Sequence, residues 1–143
     1  MSLIYDDKVC KWVSRQIFKQ DHLFDDKCVG IGVALNGKVI AGVVYSNFML
    51  RPDGSPLSIE MSVASTDRRW CTKQNLRAFF AYPFIELGLK RVQTTCSAER
   101  PEIIDFNHRL GFVEEGEHRE AWPLGGNAIS FSMLNNECRW ING

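Results

Sequence analysis

Glu60 is the clearest proton acceptor in the sequence. Leu57, Ile59, Met61 and Val63 alternate with Ser58, Glu60, Ser62 and Ala64. That alternation predicts a strand and places Glu60 on the face shared by Ser58 and Ser62. A partly buried carboxylate holds a proton nearer to neutrality, because burial disfavours its charged form. The bland reading is a structural Glu paired to a neighbouring strand or helix. A second cluster follows closely. Arg68, Arg69, Lys73 and Arg77 surround the single Asp67, and Thr72 fits as the cap of a helix. Free amides at a helix start, together with guanidinium groups, suit phosphates. A solvated basic helix start is the alternative. Within this cluster Cys71 reads as either a thiol of lowered pKa or a packed or solvated Cys. Trp70 reads as a lid over a ligand or a packing anchor.

Other reactive residue types carry less. Gly30-Ile31-Gly32 lacks the third glycine and the strand-to-helix setting of a dinucleotide loop. Cys10, Cys28, Cys71, Cys96 and Cys138 form no C-x-x-C pair, and their odd number points to reduced thiols in a cytoplasmic protein. His22, His108 and His118 sit at no ligand spacing relative to a Cys pair, so no metal is expected. His108 reads as a surface residue.

These side chains need elements to position them. Val9, Val13 and Ile17, with Trp12 beside them, form one helical face over roughly residues 7–20. Residues 27–35 and 38–48 read as strands joined by Asn36-Gly37, a strong hairpin signal. The strand carrying Glu60 comes third. Leu76, Phe79, Phe80, Phe84 and Leu87 predict a helix over 72–87, with Pro83 inside it as a kink or a stop. Residues 90–96 form a short strand, and Ile103, Phe106 and Leu110 give a second helix closed by Gly111. Residues 112–122 and 127–134 complete the set as strands. The order α-β-β-β-α-β-α-β-β defines an α/β (α+β) fold, a mixed sheet with helices packed on it.

Composition bounds the function. A length of 143 residues fits a single domain spanning 1–143, and 45% hydrophobic residues fit a globular one. Seventeen basic residues balance seventeen acidic ones, which argues against a nucleic-acid partner. The balance hides a gradient: residues 51–100 carry eight basic and five acidic side chains, residues 101–143 three and seven. No window approaches the roughly 18 apolar residues of a membrane span, and no secretory signal is visible.

The stretch Leu110-Gly111-Phe112-Val113-Glu114-Glu115-Gly116 resembles the "LGF-x-x-EG" run of the GNAT superfamily of acetyl-CoA-dependent N-acetyltransferases. The likeness is to the branch that acetylates ribosomal-protein N-termini and to phage and bacterial GNAT-like proteins. Arg119, Ala121 and Glu137-Cys138-Arg139-Trp140 extend it, as do Tyr82–Gly88 with Arg91-Val92. It covers about residues 27–140.

The resemblance implies a mostly antiparallel mixed sheet with helices on both faces, and acetyl-CoA as co-substrate. It implies direct attack of a primary amine on the thioester in a ternary complex. The amine acceptor would be a small molecule or a peptide. Glu60 falls where relatives often carry an active-site carboxylate. Met61 and Val63 fall on the strand beside the pantetheine arm. Arg68, Arg69, Trp70, Cys71, Thr72 and Lys73 fall at the pyrophosphate loop, with Cys71 and Lys73 where relatives have glycine. Asn107 stands where relatives carry the Tyr that protonates the leaving thiolate. An amide cannot supply that proton, so a water would. The acidic run Glu114, Glu115, Glu117 and Glu120 lies on the acceptor side in relatives, or forms a solvated sheet face. The departures at 71, 73 and 107 keep an alternative open: a catalytically degenerate binding or assembly module. Trp122 and Trp140 are candidates for a homodimer surface.

Overall fold

The computed structural model describes residues 1–20, 24 and 27–142; His22 lies outside the described residues. A seven-stranded sheet organises the chain. Its strands are β1 (Ser2–Ile4), β2 (Val29–Leu35), β3 (Lys38–Leu50), β4 (Pro56–Ser65), β5 (Arg91–Ser97), β6 (Val113–His118) and β7 (Ala128–Leu134). The helices are α1 (Lys8–Phe18), α2 (Lys73–Ala81), α3 (Pro101–Leu110) and α4 (Arg139–Asn142). Across the sheet the order is β1-β2-β3-β4-β5-β7-β6. Among the described residues only β4 and β5 run parallel.

The alternation along β3 shows why helices cover both faces. Val43 and Tyr45 join a large core with Leu76, Phe79 and Phe80 of α2. Val44, between them, joins a smaller cluster with Val9 and Val13 of α1. Neighbouring strand residues point to opposite faces, so α1 lies on one side and α2 on the other. Ile103, Ile104 and Phe106 of α3 pack on the α2 side. α1 sits very close to its face. A Cβ at Gly42 would meet Val9 Cγ1 at 2.8 Å and Val13 Cγ2 at 2.9 Å. One at Gly30 would meet Val9 Cβ at 2.9 Å. The paired glycines of β2 therefore serve helix packing.

Local chemistry sets the element ends. Asn36 and Gly37 take φ of 54° and 78°, as the β2–β3 turn requires. Thr72 caps α2, its Oγ1 accepting from the Asn75 amide at 3.1 Å. Gly111, at φ 108°, closes α3 in a left-handed cap.

Pro83 acts differently from a simple kink. In a regular helix the Phe79 carbonyl would accept from residue 83, but Pro83 has no N–H. The chain widens into a π turn over Tyr82–Glu86, and Leu87 N donates to Tyr82 O at 3.0 Å. The orphaned Phe79 carbonyl accepts from the Tyr45 hydroxyl of β3, which is 1% exposed. A strand thus supplies the donor that the helix lost.

Some segments depart from the sequence reading. β1 and α4 form without a predicted counterpart. β6 ends at His118, short of the predicted 122, because Glu120 turns to φ 53° and Trp122 N bonds to Gly126 O at 3.0 Å. The tryptophans read as a dimer surface make contacts within the chain. Trp140 Nε1 donates to Leu110 O at 2.9 Å, and the Trp122 ring lies 5.5 Å from that of Phe18.

Candidate active site

The site begins where two strands part. β4 and β5 pair only at Ser58–Arg91, Ile59–Val92 and Glu60–Gln93. Beyond Glu60 the ladder stops, although β4 continues to Ser65 and β5 to Ser97. A cleft of about 1190 Å³ opens between them and reaches both faces of the sheet. Of the predicted site residues, Glu60, Met61, Val63, Arg68, Trp70, Cys71 and Asn107 line it. Arg69, Thr72 and Lys73 do not.

Glu60 sits at the apex of the split, half-buried. Asn47 Nδ2 donates to its Oε2 at 2.9 Å. Asn47 lies in a bulge of β3, where the register with β4 shifts between Ser46 and Met49. Its φ is 55°, a left-handed conformation that Asn tolerates better than most residues. Bulges re-aim side chains, often beside active sites. Here the bulge turns an amide toward the carboxylate. Nothing in the strand alternation signals this partner.

The loop before α2 forms a 3-10 turn, Arg68–Trp70, that closes on itself. Arg69 N donates to Asp67 Oδ1 at 3.0 Å, and Cys71 N to Arg68 O at 3.1 Å. Thr72 N donates to Trp70 O at 2.9 Å. The amides of Arg69, Cys71 and Thr72 are therefore engaged inside the loop. Arg69 also grips Asp67 through its side chain at 2.6 Å, which holds the Asp67 carboxyl down at about 2. What faces the cleft at this end is guanidinium: Arg68, Arg100 and Arg109. Arg68 has no ion-pair partner among the described residues. Arg100 pairs with Glu102, and Arg109 with Asp105 at 3.0 Å. These two pairs are well exposed, so they hold weakly and leave donors free. Sequence reading did not single out Arg100 or Arg109 as phosphate ligands, because only the packing of α3 brings them here.

Trp70 is a packing anchor. It is 3% exposed, with its ring 5.5 Å from Phe79 and 6.2 Å from Phe106. The Cys71 thiol is raised, because its burial outweighs the nearby Arg109 charge. It is therefore no low-pKa thiolate. Asn107 is buried on α3 beside the Cys96 thiol, which burial pushes up to about 11. His108 is exposed and 3.2 Å from Glu114, outside the cleft.

The acidic run is occupied locally. Glu115 pairs with Arg91 at 2.6 Å, which lowers its pKa, and Glu117 accepts from Asn127 Nδ2 at 2.7 Å. Glu115 and Arg91 border a hollow of about 350 Å³ that also touches Glu60 and His118. Among the described residues no group of three or more His, Cys, Asp or Glu could hold a metal ion. Nor is any of their helices long and apolar enough to cross a membrane.

A mixed sheet split by a cleft between its two parallel strands is the architecture of the GNAT fold. Solved structures agree. The chain superposes on a point variant of the spermidine N-acetyltransferase of Vibrio cholerae with a TM-score of 0.70, at 16% identity, over 99% of this chain and 98% of that one. It matches the ribosomal-protein-S5-alanine acetyltransferase of Vibrio fischeri with a TM-score of 0.61 at 19% identity, over 78% of this chain and 64% of that one. A probable acetyltransferase gives 0.62 at 20% identity, over 79% of this chain and 65% of that one. No family model matches the chain, and no curated protein sequence does. The fold of the chain is that of the GNAT acetyltransferases.

Proposed function

We propose that this chain is an acetyl-CoA-dependent N-acetyltransferase acting on a primary amine. The observation that carries the reading is the interrupted β4–β5 ladder, which opens a cleft through the sheet with Glu60 at its apex. Two of the similar folds carry names that state amine-acetylating activities.

The co-substrate supplies an activated acetyl thioester, and the residues here fit it in part. Beyond Glu60 the β4 backbone at Met61–Val63 lacks a strand partner toward β5, which suits an amide-bearing arm. Arg68, Arg100 and Arg109 supply charge for phosphates at the far end, where the Arg69, Cys71 and Thr72 amides are turned into the loop. Glu60, steadied by Asn47, takes a proton from the ammonium and so frees the lone pair that attacks, and the second proton leaves the nitrogen to water as the amide forms. The amine nitrogen bonds to the acetyl carbon and the carbon–sulfur bond breaks. The sulfur takes its proton from water, since the Asn107 amide is too weak an acid to give one up.

Titration calorimetry with acetyl-CoA tests the binding half, with saturable heat expected below millimolar ligand. No heat at millimolar ligand overturns the reading. Glu60→Gln tests the chemistry and is expected to lower kcat by about 100-fold or more. The closed loop ahead of α2 favours one rival, a binding module that has lost catalysis. Binding of acetyl-CoA without turnover in the native chain would select it, whereas unchanged turnover in Glu60→Gln would remove Glu60 as the base.

A further inference from the structure

The cleft has two chemically different ends. On the α2 and α3 side it is lined by Arg68, Arg100 and Arg109. On the α1 side, where α1 ends and the loop between β6 and β7 folds over, its walls are Ile17, Phe18, Phe24, Trp122 and Leu124. Phe18 joins the two segments, its ring 5.5 Å from Trp122 and 6.0 Å from Phe24. Leu124, 55% exposed, extends this wall at the rim. The polar groups at this end are Gln16 from α1, Ser46 and Asn47 on β3, Glu60 and Ser62 on β4, and Thr95 and Ser97 on β5. Glu102, the other carboxylate lining the cleft among the described residues, is paired to Arg100 at the opposite end.

Among the described residues Glu60 is the one carboxylate beneath this aromatic wall, with Glu115 of the adjoining hollow held by Arg91, and such a site sorts ligands by shape. An ammonium placed at Glu60 leaves the carbon skeleton of its owner against Phe18 and Trp122. Apolar area buried there gains affinity, and ring contacts add to it. A polycation would lay its second charge along the same apolar wall and lose hydration. We propose that the α1 end of the cleft is an acceptor site for a primary amine whose skeleton carries an aromatic or bulky aliphatic group close to the nitrogen. The group is borne either by a free monoamine or by the first residue of a peptide. This inference rests on the acetyltransferase reading above.

The test is a selectivity measurement, with acetylated products quantified by mass spectrometry. The probes are 2-phenylethylamine, Phe-Ala-Ala amide, Ala-Ala-Ala amide and spermidine, each with saturating acetyl-CoA. We expect kcat/KM for at least one phenyl-bearing probe to exceed that for spermidine about thirtyfold. Whichever phenyl-bearing probe is faster identifies the source as a free amine or a peptide end. Trp122→Ala should cut that preference about tenfold with the KM for acetyl-CoA unchanged. Leu124→Asp, at an exposed position that leaves the core intact, should shift selectivity toward spermidine. The inference is overturned if spermidine is preferred, if neither phenyl-bearing probe is acetylated by protein that binds acetyl-CoA, or if neither variant moves the selectivity. Absence of acetyl-CoA binding heat instead sinks the acetyltransferase reading itself.

Discussion

Tyr45→Phe should destabilise the fold through a helix that the mutated residue does not belong to. The hydroxyl is the donor for the Phe79 carbonyl, whose helical partner was removed by Pro83. Burial raises the Tyr45 pKa well above the ordinary value, so the group stays a donor across the neutral range. Phe keeps the ring contact with Tyr82, now at 4.7 Å, and fills the same space. The loss is therefore close to that of leaving one buried carbonyl unpaired, about 1–3 kcal/mol. For a chain of this length that corresponds to roughly 3–10 °C in Tm. Pro83→Ala restores an N–H at the position that would feed Phe79. In that background Tyr45→Phe should cost less than about 0.5 kcal/mol, because the carbonyl regains a donor. The double-mutant cycle is read by urea unfolding, with ΔG from linear extrapolation. A coupling of about 1–2 kcal/mol is expected. Equal losses in both backgrounds would refute the account.

Three further outcomes are expected. Asn47→Gly relieves a left-handed backbone yet removes the donor to Glu60, so kcat should fall about 10–100-fold while thermal stability holds or rises; full activity would show that the amide does not position the carboxylate. Gly42→Ala should cost about 1–3 kcal/mol in chemical denaturation, since its methyl enters the space of Val9 and Val13; a neutral result would mean that α1 shifts freely. The Cys10 thiol is pushed up to about 12 by burial and by its neighbour Cys28, and that of Cys96 to about 11. Both remain protonated at pH 8, so mass mapping after iodoacetamide should find them unmodified in folded protein and modified in urea. Labelling of Cys96 in the native state at pH 8 would contradict its burial.

The sequence makes much of the framework legible because its signals are local. Asn36-Gly37 forces a turn, the Leu57–Val63 alternation sets one face of β4, and Gly111 stops α3. Thr72 caps α2 where its type predicts. The remainder depends on distance in the chain. β1 has three residues, too few to show a period, and becomes a strand only by lying beside β2. The donor for Phe79 is 34 residues away, so Pro83 alone predicts a kink and not its repair. Glu60 is found because the alternation of β4 sets it on the face of Ser58 and Ser62, but Asn47 is hidden in a bulge whose register shift is a tertiary event. Cys71 and Lys73 could be recognised as unlike glycine. That the loop would fold its own amides inward could not be read, since this takes Asp67 and the turn together.

Three residue pairs are all that stitch β4 to β5, whereas seven join β5 to β7. The sheet is therefore two plates, β1 to β4 and β5 to β6, sharing a short seam. Amides on either side of such a seam can exchange through partial opening that spares the rest of each plate. A molecule lodged in the cleft leans on both plates at once and acts as a rivet across them. At a concentration 100 times its Kd it would add about 2.7 kcal/mol to the stability of the closed arrangement. Protection that spreads outward from Ser58–Glu60 as ligand is added would be the mark of that clamping. The gap that weakens the sheet is thus also the means by which an occupant tightens it.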